Sequence, residues 1–362
     1  MKTTKLIAFY LPQYHPIPEN DEWWQPGFTE WTNVVKAKPL FKGHIQPKIP
    51  RDLGFYDLRV PETREKQAEL AKKAGIYGFC YWHYWFGNGK RLLERPFDEV
   101  VASGKPDFPF CLGWANHTWA NKTWTPGKDD KILIEQQYPG KQDYIDHFLT
   151  MLPAFKDNRY ITIEGKLVFL IWDSLGIPDV KDFFNTWNEL ALQHELPGFY
   201  YIGFCRDIKH IEELKEIGYD SVCVDLLLKC KKEIPWKSEL KWKLYNHLNH
   251  PIPRQIEWNA YHKACVDFFK NNNDGIIPCI MPNWDHSPRS KNRGEILMNS
   301  SPENFAHLLK DIIEIKEHSK DPDNVVFIKS WNEWGEGNYL EPDQQYGLGY
   351  INALEMFKEN YE

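Results

Sequence analysis

The stretch "NVVFIKSWNEWGEGNYLEPD", residues 324–343, changes character halfway along. Its first part is an unbroken run of β-branched and aromatic residues up to Lys329. A strand with one wet face alternates apolar and polar residues, whereas a strand buried on both faces does not. The second part sets Glu333, Glu336 and Glu341 among Trp331, Trp334, Tyr339, Gly335, Gly337 and Pro342. Glycines and a proline at that point predict a chain that turns sharply just past the strand.

Seven upstream runs share the first character: "KLIAFY" (5–10), "YGFCYW" (77–82), "FPFCLGW" (108–114), "KLVFLIW" (166–172), "FYYIGF" (199–204), "DSVCVD" (220–225) and "GIIPCIM" (275–281). Each of the eight is followed by a stretch with helical spacing, over 61–75, 91–104, 141–157, 179–195, 207–218, 254–273, 301–320 and 349–362. Pro61 and Pro302 mark first helical turns, and Gly75 and Gly218 mark helix ends. Strand and helix alternating eight times predict a single (β/α)8 TIM barrel over residues 1–362, with a doubly wound open sheet as the alternative. The loops that leave strands are longer than those that enter them, longest after strands 1, 3 and 6. That asymmetry puts functional groups at the carboxyl ends of the strands.

Those ends are rich in aromatics. The chain carries 16 Trp, 18 Tyr and 21 Phe, 15% of its residues. Strand 1 leads to Tyr10, His15 and Trp31, strand 2 to Tyr81 and His83, and strand 3 to Trp114, Asn116 and His117, with Trp124 beyond. Strand 4 leads to Asp173, strand 6 to Asp225, strand 7 to Trp284 and Asp285, and strand 8 to Asn332 and Trp334. Flat rings for the C–H faces of sugars, with amide, imidazole and carboxylate groups for hydroxyls, make this the expected substrate-contacting set of a carbohydrate site. The bland alternative is that the tryptophans close the top of the barrel and pack the loops.

Glycosidic bond chemistry usually takes two carboxyl groups, one to protonate the leaving oxygen and one as base or nucleophile. Glu333 and Glu336 are three apart, and a turn at Gly335 and Gly337 would bring both into one mouth. They are the expected catalytic pair, whereas Glu341, before Pro342, reads as a cap or loop acid. Arg289, Lys291 and Arg293 follow strand 7, a phosphate position in many barrels; they read either as an anion site or as a solvated basic loop.

Other classes find little support. The balance of 44 Lys and Arg against 51 Asp and Glu, net charge −7, does not call for nucleic acid as a partner. No run is long enough to span a membrane and the amino-terminal apolar run is short for a leader, so a cytoplasmic protein is expected. Seven cysteines, an odd number without a CxxC pair, read as free thiols. There is no HExxH, GxGxxG or GxxxxGK; "DPD" (321–323) has Asp-x-Asp spacing but precedes strand 8. Neither metal nor cofactor is expected, and a sugar-binding module without catalysis is the alternative from another class.

Three long motifs, "IAFYLPQYHPIPENDEWWQPGFTEW" (7–31), "GFCYWHYWF" (78–86) and "SWNEWGEGNYLEPD" (330–343), resemble the WbsX-type proteins of bacterial polysaccharide gene clusters, which are related to glycoside hydrolase family 99. The resemblance spans nearly the whole chain and implies a (β/α)8 barrel. It also implies a retaining, metal-free endo-α-mannosidase activity through a 1,2-anhydro sugar. By the same resemblance, Glu333 would be the base on the sugar 2-hydroxyl and Glu336 the general acid and base. Gly335 stands where the mannosidases carry His, which puts substrate identity in question. WbsX-type proteins have also been described as glycosyltransferases, so transfer in lipopolysaccharide, O-antigen or capsule synthesis is the runner-up.

Overall fold

A computed structural model of the chain describes residues 4–121, 130–232, 234, 236–247 and 251–357. Its centre is a closed barrel of eight parallel strands: β1 Thr4–Tyr10, β2 Gly78–His83, β3 Phe110–Trp114, β4 Lys166–Ile171, β5 Phe199–Cys205, β6 Ser221–Asp225, β7 Ile276–Ile280 and β8 Asn324–Ile328. Each strand pairs with the next in sequence, and β8 returns to β1 with Thr4 opposite Asn324 and Ala8 opposite Ile328. All eight lie where continuous apolar runs predicted them, which excludes the open sheet.

Around the barrel run α1 Pro61–Lys73, α2 Arg95–Ser103, α3 Lys141–Phe155, α4 Val180–Gln193, α5 Ile211–Ile217, α6 Trp258–Asn271, α7 Pro302–Glu317 and α8 Gly349–Glu355. Several helical expectations are shortened: the stretch from 207 becomes an α-helix only at Ile211, and the last helix ends at Glu355. Residues 91–94 stay outside α2, and Arg254–Glu257 form a strand paired in parallel with Glu295–Met298, so α6 begins only at Trp258. The end of the last expected helix, residues 358–362, lies outside the described residues, as does Trp124. All seven cysteines are buried and none forms a disulfide. No helix among the described residues is long and apolar enough to cross a membrane.

The pleat decides which side chains enter the barrel, because successive strand residues point to opposite faces. Phe9 from β1 meets Phe204 of β5 across the interior at 5.9 Å, and stacks on Trp82 at 4.5 Å and Phe327 at 5.0 Å. Trp172, just past β4, stacks on Phe204 at 4.4 Å and meets Trp82 edge-on. The opposite parity packs outward on the helices: Tyr10 bonds to Gln67 of α1, Tyr81 packs on Phe97 of α2, and Trp114 packs on Phe183 of α4.

The outer layer is anchored at Trp187 of α4, fully buried, 4.7 Å from Phe169 of β4, with its indole N–H donating to Tyr144 O at 2.9 Å. Trp187→Ala should lower stability by about 3 to 5 kcal/mol, read from urea unfolding. A change within about 0.5 kcal/mol, the usual range of surface substitutions, would contradict this packing.

Candidate active site

Past Ile328 the chain leaves the barrel sheet but stays pinned to the end of β1. Trp331 N–H donates to Phe9 O at 2.8 Å, and the Asn332 amide accepts from Leu11 N at 2.7 Å and donates to Leu11 O at 3.0 Å. Asn332–Glu333 then pair antiparallel with Asn338–Tyr339, and Trp334–Glu336 form a single 3₁₀ turn between them. Gly337 closes the turn with φ 54°, a left-handed conformation that favours glycine. The Tyr14 hydroxyl holds the turn from inside, donating to Asn332 O and accepting from Trp334 N at 3.0 Å.

Trp334 is fully buried and stacked on Tyr339 at 3.8 Å, and its N–H donates to Glu341 Oε2 at 2.6 Å. Glu341 is therefore no loop or cap acid. It is 1% exposed and also accepts from Tyr56 Oη at 2.8 Å and Gln67 Nε2 at 2.6 Å. Burial pushes its carboxyl up to about 7, against the pull of those three donors.

With Trp334 planted inward, Glu333 and Glu336 meet the same guanidinium. Arg289, on the short helix after β7, reaches Glu336 Oε1 with Nη1 at 2.5 Å and Glu333 Oε1 at 3.4 Å, while its Nε donates to Glu30 Oε2 at 3.1 Å. His286 Nε2 lies 3.3 Å from Glu336, and Ser330 Oγ donates to Glu333 Oε2 at 3.1 Å. The side chains of Glu333, Glu336 and Arg289 keep 10%, 14% and 24% of their exposure, enough for a ligand to reach them.

The two acids differ electrostatically. Burial and the neighbouring Glu336 charge push Glu333 up to about 7, with Arg289 opposing. Burial works on Glu336 too, but Arg289, His286 and Lys329 outweigh it and hold that carboxyl well below the usual range. At neutral pH Glu333 is thus near its midpoint, while Glu336 is ionised. Lys329, facing inward past β8, lies 3.3 Å from Asp225 Oδ2, 4.8 Å from the Trp284 ring and 5.4 Å from the Trp172 ring. Tyr84 is the nearby phenol: burial and then the Glu333 charge raise its pKa.

Of the expected contact residues, Asn332 and Trp334 flank Glu333 in the chain, Asp225 and Trp284 lie against Lys329, and Asp285 sits beside Glu336. Asp285 donates its N–H to Glu336 O at 2.8 Å, and its carboxylate accepts from Gln46 Nε2 at 2.6 Å beside His44 Nε2 at 2.8 Å. Trp31 packs 5.6 Å from Trp334, its N–H donating to Tyr56 O at 2.8 Å. The others do not come together there. Tyr10, Tyr81, His83 and Trp114 have the wrong pleat parity; His83 Nε2 sits 2.8 Å from His147 of α3. His15 is buried with Nδ1 3.1 Å from Pro12 O, and Asn116 is occupied by Tyr138 and the Asp173 backbone. His117 and Asp173 are exposed on loops.

Sequence reasoning left out Glu30, Tyr84, His286 and Lys329 as site residues, and offered Arg289 only as part of a solvated or anion-binding loop. Lys291 and Arg293 are indeed exposed, but Arg289 turns in among the carboxylates. Counting by twos from Phe327 would have found Lys329. Among the described residues no three His, Cys, Asp or Glu side chains are grouped as a metal would need. A mostly apolar hollow of about 640 Å³ between α7 and α8 contains neither acid.

The closed parallel barrel has solved counterparts of the same fold. The chain superposes on a "glycoside hydrolase-like protein" with a TM-score of 0.62, covering 100% of this chain and 95% of that one at 15% identity. It also superposes on the GH99 endo-alpha-mannosidase from Bacteroides thetaiotaomicron with a TM-score of 0.55, covering 98% and 96% at 15% identity; identities this low speak to fold alone. The profile of the family described as Glycosyltransferase WbsX matches residues 6–354, and the chain belongs to that family. It is 32% identical over 353 residues to "uncharacterized protein WxcX" from two strains of Xanthomonas campestris pv. campestris, covering 96% of this chain and 48% of theirs. The chain thus spans about half the length of those relatives.

Glu341 and Glu333, with carboxyls raised to about 7 against an ordinary 4.5, bind protons more tightly folded than unfolded. Stability should therefore be fullest below about pH 4.5 for these groups and fall as pH rises to about 7. Glu341→Gln should flatten that fall in urea unfolding titrated across the window. An unchanged slope would refute the raised Glu341.

Proposed function

We propose that this barrel is a retaining glycoside hydrolase, endo-α-mannosidase-like, acting on a bacterial or host polysaccharide with Glu333 and Glu336 as its two acids. The observation that carries the reading is the acid pair itself: two carboxyls three residues apart, brought to one guanidinium past strand 8 in unlike electrostatic surroundings. Glycosidic cleavage takes two carboxyls with separate roles. Trp172 and Trp284 turn ring faces toward Lys329, and Trp284 stacks on His286, the histidine beside Glu336.

In the route that the family resemblance implies, Glu333 takes the proton of the sugar 2-hydroxyl while O2 attacks C1. The C1–O bond to the leaving sugar breaks, and that oxygen takes the proton of Glu336. The intermediate is a 1,2-anhydro sugar, with Glu333 protonated and Glu336 ionised. Glu336 then takes a proton from water, the water oxygen attacks C1, the C1–O2 bond opens, and O2 recovers its proton from Glu333. The order of the two carboxyls in the free site, Glu333 raised and Glu336 lowered, is that of the intermediate stage, so the first step needs the proton shifted to Glu336 when substrate binds.

The family's description as a glycosyltransferase favours a second reading, glycosyl transfer from an activated donor. It would show as consumption of a nucleotide sugar by a protein inert toward α-linked oligosaccharides. For hydrolysis, Glu333→Gln and Glu336→Gln should each lower turnover by about 100- to 10,000-fold while leaving binding within about tenfold. Products would be followed by mass spectrometry on α-linked mannose and rhamnose oligosaccharides, and full activity in either variant would remove the assignment. A 2-deoxy substrate should bind without reacting; its cleavage would exclude the anhydro route.

A further inference from the structure

Glu30 and Gly335 approach more closely than any other residue at 335 would allow. A Cβ on Gly335 would lie 1.8 Å from Glu30 Oε2 and 3.0 Å from Arg289 Nε, so the bare Cα makes the room in which these two groups meet. Glu30 opens the short helix Glu30–Lys36, and its backbone N–H donates to Gln13 O at 3.1 Å. Its side chain is 4% exposed. Braced there, Arg289 is nearer Glu336 than Glu333, by 2.5 Å against 3.4 Å.

We infer that Arg289, braced by Glu30 in the space that Gly335 leaves open, is a positioning residue that holds the negative charge of the acid pair on Glu336. It thereby keeps Glu336 in the ionised form from which the water-activating half-reaction starts, and its hold must loosen as Glu336 gains a proton. The second statement rests on the hydrolytic reading above; the first does not. The other charged and titratable groups facing the pair are few. His286 and Lys329 reinforce the ionised Glu336, whereas Glu30 and Glu336 itself oppose ionisation of Glu333. Tyr84 approaches from the end of β2, and Asp225 answers Lys329.

The test is a carboxyl titration by NMR on protein labelled with ¹³C at glutamate side chains, with Glu333→Gln and Glu336→Gln used to assign the two signals. In the unaltered protein Glu336 should ionise well below Glu333. In Arg289→Gln the Glu336 midpoint should rise by about 1 to 3 pH units, the usual effect of an opposite charge at this range. Arg289→Lys keeps the charge without the fork, so it should give a smaller rise and partial rescue of the kcat pH profile. Gly335→Ala, which displaces Glu30, should move Glu336 in the same direction. If Arg289→Gln does not fold, the lysine variant carries the test. An unchanged order and spacing of the two titrations in a folded Arg289 variant would overturn the inference. Absence of cleavage by the unaltered protein would instead sink the hydrolytic reading and leave the titration result standing.

Discussion

Charge withdrawn from water behind strand 8 must be met by opposite charge, and one guanidinium meets most of it. Arg289 touches Glu30, Glu333 and Glu336, while Lys329 faces Asp225. Such buried pairs add little net stability, because desolvation offsets the attraction, but stripping one partner leaves a charge stranded. The constraint is thus one of specification. It ties the loop after β1, the turn after β7 and the hairpin after β8 into one geometry, and it sets the two carboxyls apart, Glu333 raised and Glu336 lowered.

The backbone serves that geometry. Asn332 and Trp331 bind the segment after β8 to β1, Tyr14 bridges the turn, and Trp334 fills the space beneath with Tyr339 and Glu341. Glu341 shows how three donors and a buried carboxyl can form a structural hub within a few residues of the acid pair. Its burial and the full use of its oxygens separate it from the acid pair, whose side chains remain partly open.

The barrel was legible because doubly buried strands leave continuous apolar runs, and helix starts and ends carry their own Pro and Gly punctuation. The convergence of Glu333 and Glu336 past strand 8 was legible for a local reason, the glycines at 335 and 337. Pleat parity was not read, and it separates Trp82, Trp172 and Lys329, which face inward, from Tyr10, Tyr81, His83 and Trp114, which serve the helical layer. Contacts between distant segments left no local mark: Glu30 and Arg289 stand 259 residues apart. Gly335, first readable only as a missing side chain, is the position where those two segments meet.

The fold is shared with glycoside hydrolases, while the family carries a transferase description, and the acid pair's chemistry has to decide between them. The most direct measurement is ¹H NMR of the anomeric signals during the first minutes of cleavage of an α-linked mannose oligosaccharide. Two acids acting in successive displacements on one anomeric carbon predict that the first-formed reducing sugar is the α anomer. Initial release of the β anomer would contradict the account, as would inertness toward all such glycans alongside turnover of a nucleotide sugar.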